Sequence, residues 1–196
     1  MRLARAITTV RSTVRSALAR RHSIERARSG RRAPRPGALR RAMSASSSSH
    51  PGATFGPIDI PSTQIFHETP TTFALVNLKP VVPGHVLVCP RRVARKFTDL
   101  SDDEIGDLWR TVAAVQRVME RVYDTTSSTL AIQDGPLAGQ SVPHVHVHVL
   151  PRREGDFARN DDVYDELEKW RALDDDRAPR TAEEMKSEAD ALRVMF

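Results

Sequence analysis

His144, His146 and His148 alternate with Val145, Val147 and Val149 in the run 144–150, the densest concentration of chemistry in the chain. Side chains of extended backbone alternate between faces, so three imidazoles share one surface while the valines anchor the other. Near neutral pH imidazole serves as nucleophile, proton carrier or metal ligand. A single His on a strand is ordinarily a hydrogen-bonded, partly buried side chain, and two His one residue apart can share a zinc ion. A zinc site needs further ligands, and the chain has one cysteine, Cys89, with no Cys-x-x-Cys or His-Glu-x-x-His pattern. Spacing alone leaves metal binding as the weaker reading, and no protein-bound metal is expected.

Fixed histidines need a scaffold. Val81-Val-Pro-Gly84 separates two apolar runs, 73–77 and 85–90, as a turn between antiparallel strands does. Ser101-Asp-Asp-Glu104 is a capping box, and Ile105, Leu108, Val112, Val115, Val118 and Val122 follow at helical spacing. Residues 129–133 predict a strand, 134–136 a turn and 144–150 the last strand, giving an α+β class with an antiparallel sheet. Two helices are expected over 161–170 and 181–194, the second opened by a capping box at Thr181 and Glu184.

The likeness to a known family extends well beyond the triad. Residues 73–77, 79–90, 133–136, 139–140, 144–152 and 155–157, then 160–161, 164–167, 183–185 and 191–194, resemble in order the histidine triad superfamily of nucleotide hydrolases and transferases, in its fragile histidine triad branch. The resemblance implies a sheet of about five strands with a long helix and a C-terminal helix, and a homodimer. It implies hydrolysis of diadenosine triphosphate to AMP and ADP through a covalent AMP–histidine intermediate. Adenylyl sulfate or nucleoside phosphoramidate hydrolysis, or a nucleotide-binding signalling module, are the alternatives. His146 would be the nucleophile, His148 a donor to the α-phosphate, His144 an orienting residue, and Gln133 a bridge to the leaving oxygen. Asn77 would take the ribose, while Gly139, Gln140, Ser141 and Val142 would cradle phosphate oxygens. Mg²⁺ or Mn²⁺ would arrive with the substrate. His85 resembles a family histidine near the pocket, and Arg152 and Arg153 give only a weak phosphate signal.

Charge divides the chain. Residues 1–50 hold thirteen Arg, no Lys and one acid, Glu25, whereas the remainder holds 17 basic and 24 acidic residues, within an overall net charge of +5. The basic character lies outside the expected domain, which argues against nucleic-acid binding. Residues 1–42, Arg-rich with Leu3, Ile7, Val10, Val14 and Leu18 on one helical stripe, read as a transit peptide or a basic disordered leader, and 43–54 as a Ser-rich linker. The expected division continues with a nucleotide-hydrolase domain at 55–160 and a helical extension at 161–196. A mitochondrial or plastid location follows for the full chain and a cytoplasmic one for a form starting at Met43. No apolar run is long enough to span a bilayer.

Overall fold

The Ser101 hydroxyl accepts the N–H of Glu104 while the Glu104 carboxylate takes that of Ser101, and from this reciprocal cap helix α1 runs Asp102–Tyr123. Asp124, in the left-handed conformation with φ 50°, ends it. The computed structural model describes residues 52–169 and 177–196. The leader 1–42 and most of the linker 43–54 lie outside these residues.

Strands β1 (Ala53–Phe55) and β2 (Ile58–Ile60) form a small hairpin of their own, so strand begins two residues before the expected start of the domain at 55. Then come β3 (Ile65–Glu68), β4 (Thr72–Val76), β5 (Val86–Pro90), β6 (Ser127–Ile132) and β7 (Val147–Arg152). These five make one antiparallel sheet in the order β3-β4-β5-β7-β6. Helices α2 (Asp162–Lys169) and α3 (Ala182–Arg193) follow, α3 capped by Thr181 and Glu184 as its sequence predicts.

Register assigns the two sheet faces. Leu75, Leu87, His148 and Ala131 stand opposite one another on one face, and Val76, Val86, Val149 and Leu130 on the other. The valine face, with Ala74, Val88 and Val147, buries against Leu108, Val112, Val115, Val118, Met119 and Val122 of α1 and Met185, Ala189 and Leu192 of α3. That is the principal core, and it holds the last strand rigidly from behind. The histidine face carries two smaller apolar clusters. One joins the hairpin, through Phe55 and Ile60, to Phe73, Leu75, Leu87, Cys89 and Val142, and the other joins Leu150 to Val82, Val163 and Leu167.

Ladder pairing on the last strand starts at Val147, so of the triad only His148 belongs to β7. His144 and His146 sit in the irregular approach, which is tied down by Val145 N–H donating to the Ala94 carbonyl at 2.8 Å.

Candidate active site

The three histidines are all buried, yet they are held in three different ways. His144 has both nitrogens engaged: Gly56 N–H donates to its Nδ1 at 2.9 Å, and its Nε2 meets the Pro90 carbonyl at 2.9 Å. A carbonyl only accepts, so His144 carries its proton on Nε2. It pins the β1–β2 turn to the end of β5 and retains no nitrogen for chemistry. Gly56 suits the turn because its φ is +58° and a Cβ there would lie 2.8 Å from Val142 Cγ1.

His146 donates its Nδ1–H to the carbonyl of His144 at 2.7 Å. Its Nε2 is therefore the unprotonated nitrogen, and it makes no hydrogen bond among the described residues. The edge of the imidazole packs against Phe55, with ring centroids 5.0 Å apart and planes at 88°. Burial, against an opposing pull from the His144 carbonyl, lowers the His146 pKa to about 4, so the ring is neutral at pH 7.

His148 takes its tautomer from a chain of donors. The main-chain N–H of Val81 donates to His85 Nδ1 at 3.1 Å, which leaves the His85 proton on Nε2. That Nε2 lies 2.9 Å from His148 Nδ1, so His148 accepts there and keeps its own proton on Nε2. This Nε2–H is buried and finds no partner among the described residues. An orphaned buried donor is costly and calls for an acceptor from outside, and the His146 ring packs against that of His148 with centroids 4.9 Å apart. Burial first, then the Arg177 charge, His146 and the Arg180 charge, lowers the His85 pKa to about 3; burial, His85 and His146 hold His148 well below its ordinary value. Every link is uncharged at neutral pH.

Asn77 is buried beside this chain, its Nδ2 3.4 Å and 3.2 Å from the two nitrogens of His85, while its Oδ1 accepts Lys79 N–H at 3.1 Å. Gln133 follows directly after β6, and a Cβ on Gly139, whose φ is +90°, would fall 2.5 Å from Gln133 Nε2. Gly139 thus makes room for that amide. Gln140 turns elsewhere: its amide donates to the Arg95 carbonyl at 2.9 Å and its N–H to the Gly135 carbonyl at 3.1 Å. Val142 is buried with Phe55, and Ser141 is exposed. The N–H groups of Ser141 and Val142 make no hydrogen bond among the described residues and remain available for an anion.

Arg152 is not part of this site. Its guanidinium binds Asp156 at 2.7 Å and lies over the Phe157 ring, and Arg153 lies over Tyr123. The residue types alone did not reveal Phe55, Gly56 or the carbonyl of Pro90. Their one sequence signal is Phe-Gly-Pro at 55–57, a hairpin turn whose long-range partner is invisible until the chain folds.

A family model described as the HIT domain matches residues 59–155. A bifunctional bis(5'-adenosyl)-triphosphatase/adenylylsulfatase from Arabidopsis thaliana is 48% identical over 163 residues, covering 80% of this chain and 89% of its own length. The chain belongs to the histidine triad family. Among its histidine triad relatives, a bis(5'-adenosyl)-triphosphatase from Dictyostelium discoideum is 47% identical over 142 residues, 72% of this chain and 91% of that protein. The crystal structure of the Caenorhabditis elegans NitFhit protein superimposes with a TM-score of 0.64 at 43% identity over 76% of this chain, which spans 31% of that longer one.

Proposed function

We propose that the protein is a dinucleoside polyphosphate hydrolase that cleaves diadenosine triphosphate to AMP and ADP. One observation carries this reading: the ring of His146, with its free Nε2 lone pair, packs at 4.9 Å between centroids against the ring of His148, whose Nε2–H is orphaned. In the first step that lone pair attacks the α-phosphorus, the bond from phosphorus to the bridging oxygen breaks, and ADP departs with the bonding electrons and takes up a proton. His148 donates to an α-phosphate oxygen as negative charge gathers there. In the second step water attacks phosphorus, the phosphorus–nitrogen bond breaks, and AMP leaves with the lone pair restored to His146, while the proton lost by the water passes to solvent and balances the one that ADP took from it. Gln133 bridges toward the leaving oxygen, Asn77 takes a ribose hydroxyl, and the loop from Gly139 through Gln140 and Ser141 to Val142 supplies its open N–H groups and the Ser141 hydroxyl. Mg²⁺ or Mn²⁺ enters with the polyphosphate and neutralises its outer oxygens.

Nothing in this scheme specifies the leaving group, and the Arabidopsis relative, whose name also says adenylylsulfatase, supports adenylyl sulfate as a second substrate. The decisive experiment compares turnover of diadenosine triphosphate, diadenosine tetraphosphate and adenylyl sulfate, with acid quench to trap the AMP adduct. Turnover of none of the three overturns the hydrolase reading.

The assembly we propose is a homodimer joined along β6. Strand β6 is an end strand of the sheet, whereas the carbonyl of Ile65 in the opposite end strand already accepts the Arg193 guanidinium at 2.6 Å. Light scattering at micromolar concentration tests it; a fully active monomer excludes it. Organelle import by residues 1–42 is likewise a proposal, tested by a fluorescent fusion of the full chain beside one starting at Met43. Among the described residues no helix is long and apolar enough to cross a membrane.

A further inference from the structure

The connection 77–85 between β4 and β5 contains Asn77, Val81 and His85, and hence the N–H that sets the tautomer of His85. Two side chains from distant parts of the sequence grip it. Arg180 donates from its guanidinium to the carbonyl of Asn77 and from its main-chain N–H to the carbonyl of Leu78 at 3.0 Å. The same guanidinium pairs with Glu188 of α3, both side chains being about nine-tenths buried (10% and 9% exposed). The other oxygen of Glu188 accepts the hydroxyl of Tyr123, the last residue of α1, at 2.8 Å. Tyr123 in turn lies against Gly84, where a Cβ would be 2.4 Å from Tyr123 Cε2 and φ is +85°. The array Tyr123–Glu188–Arg180 therefore holds the connection at Asn77, ahead of Val81, and at Gly84, the residue immediately before His85.

A buried ion pair is weak grounds for a stability role, since an apolar replacement often folds as well. Here Nη1 of the guanidinium meets Glu188 and Nη2 is spent on the main chain next to the site, while Nε is buried without a partner among the described residues. We propose that Arg180, held by Glu188 and Tyr123, is a positioning residue for the transfer reaction, fixing the 77–85 connection so that His85 keeps its Nε2–H on His148. The inference rests on the hydrolase reading above. Charge reinforces geometry: burial first, then Arg177, His146 and, as the smallest contribution, Arg180 disfavour an imidazolium at His85, while Glu188 offsets part of the Arg180 charge and Tyr123 faces Glu188. Protonated His85 would turn a donor toward Val81 N–H and break the chain of donors.

The test compares the full chain with its Arg180→Gln, Arg180→Lys and Glu188→Gln variants. Imidazole proton–nitrogen spectra report which nitrogen of His85 and His148 is protonated, thermal melts report folding, and pH profiles of kcat and KM with diadenosine triphosphate report function. The native chain is expected to show a single neutral Nε2–H tautomer at both residues. In Arg180→Gln that tautomer becomes mixed, kcat falls about tenfold or more with KM within about threefold, as for a misassigned imidazole tautomer, and the acid limb of kcat moves to higher pH. Arg180→Lys restores the acid limb but only part of kcat. Should Arg180→Gln not fold, Glu188→Gln must shift the tautomer in the same direction. A folded Arg180→Gln with unchanged tautomers, kcat and acid limb overturns the inference. If the native chain turns over no dinucleotide, the hydrolase reading fails while the imidazole spectra still decide this one.

Discussion

His85 gives its Nε2–H to Nδ1 of His148 across 2.9 Å, and this bond decides which nitrogen of His148 faces outward with a proton. Val81 N–H occupies the far side of His85, so a main-chain donor sets the tautomer, while the Arg180–Glu188 pair grips the connection that carries that donor. In the proposed scheme the triad thus divides into a pin, a nucleophile and a donor: His144 and His146 are fixed by main-chain atoms, and His148 by His85, which a main-chain N–H fixes in turn.

In the proposed scheme His146 bears the covalent step, so His146→Asn should abolish turnover while leaving substrate affinity within about tenfold, or about 1.4 kcal/mol. Single-turnover kinetics and calorimetric titration check the two halves. Substantial hydrolysis by that variant, with an AMP adduct still trapped, would remove His146 from the role.

His144 should behave differently. His144→Ala strips the partners from Gly56 N–H and the Pro90 carbonyl, an expected loss of about 2–4 kcal/mol of stability. His146→Asn should cost less, because it removes one hydrogen bond, Nδ1–H to the His144 carbonyl, for which the Asn amide can substitute, and Nε2 of His146 bonds to nothing among the described residues. Denaturant melts of the two variants side by side check this, and equal losses would contradict the division of labour.

Gly139→Ala adds a Cβ that would sit 2.5 Å from Gln133 Nε2, at a φ of +90°. The expected cost is about 1–3 kcal/mol of backbone strain, with a lower kcat because Gln133 is displaced. Gly155→Ala, with φ +75° but nothing near its Cβ, is the control: it carries the strain and should keep its kcat. If both variants lose kcat alike, displacement of Gln133 is not the cause.

Acid should affect activity and stability at different points. His146 titrates in the fold at about 4 rather than at 6.5, so kcat/KM should hold from pH 7 down to about 5 before an acid limb appears. For stability the sign follows from the folded values being the lower ones. Below pH 6.5 the unfolded chain takes up protons that the folded His85 and His146 refuse, so stability falls from about pH 6.5 toward the folded values of about 3 and about 4. Melting temperatures across pH 4–7 check this; a flat profile would mean that these imidazoles are less sequestered than the structure places them.

What the sequence made legible was local or periodic. Both capping boxes, at Ser101 and Thr181, formed as read, because their partners lie three residues apart. The alternation through 144–150 put His148 on the correct face, but the ladder starts only at Val147, since Val145 bonds to the Ala94 carbonyl instead of a neighbouring strand. Gln140 read as a phosphate ligand, whereas its amide caps Arg95, a contact across 45 residues that no local pattern encodes. The fates of His144 and of Arg180 were hidden for the same reason, with partners 88 and 103 residues away.

The neutrality of all four imidazoles sets the kind of recognition this pocket can perform. A cluster of cations would hold any polyanion in proportion to its charge and release it as salt rises. Uncharged N–H dipoles at fixed positions reward instead an oxygen in the right place. On the proposed reading, such a pocket would select the shape of a phosphorus centre and be nearly indifferent to how many further phosphates trail behind it.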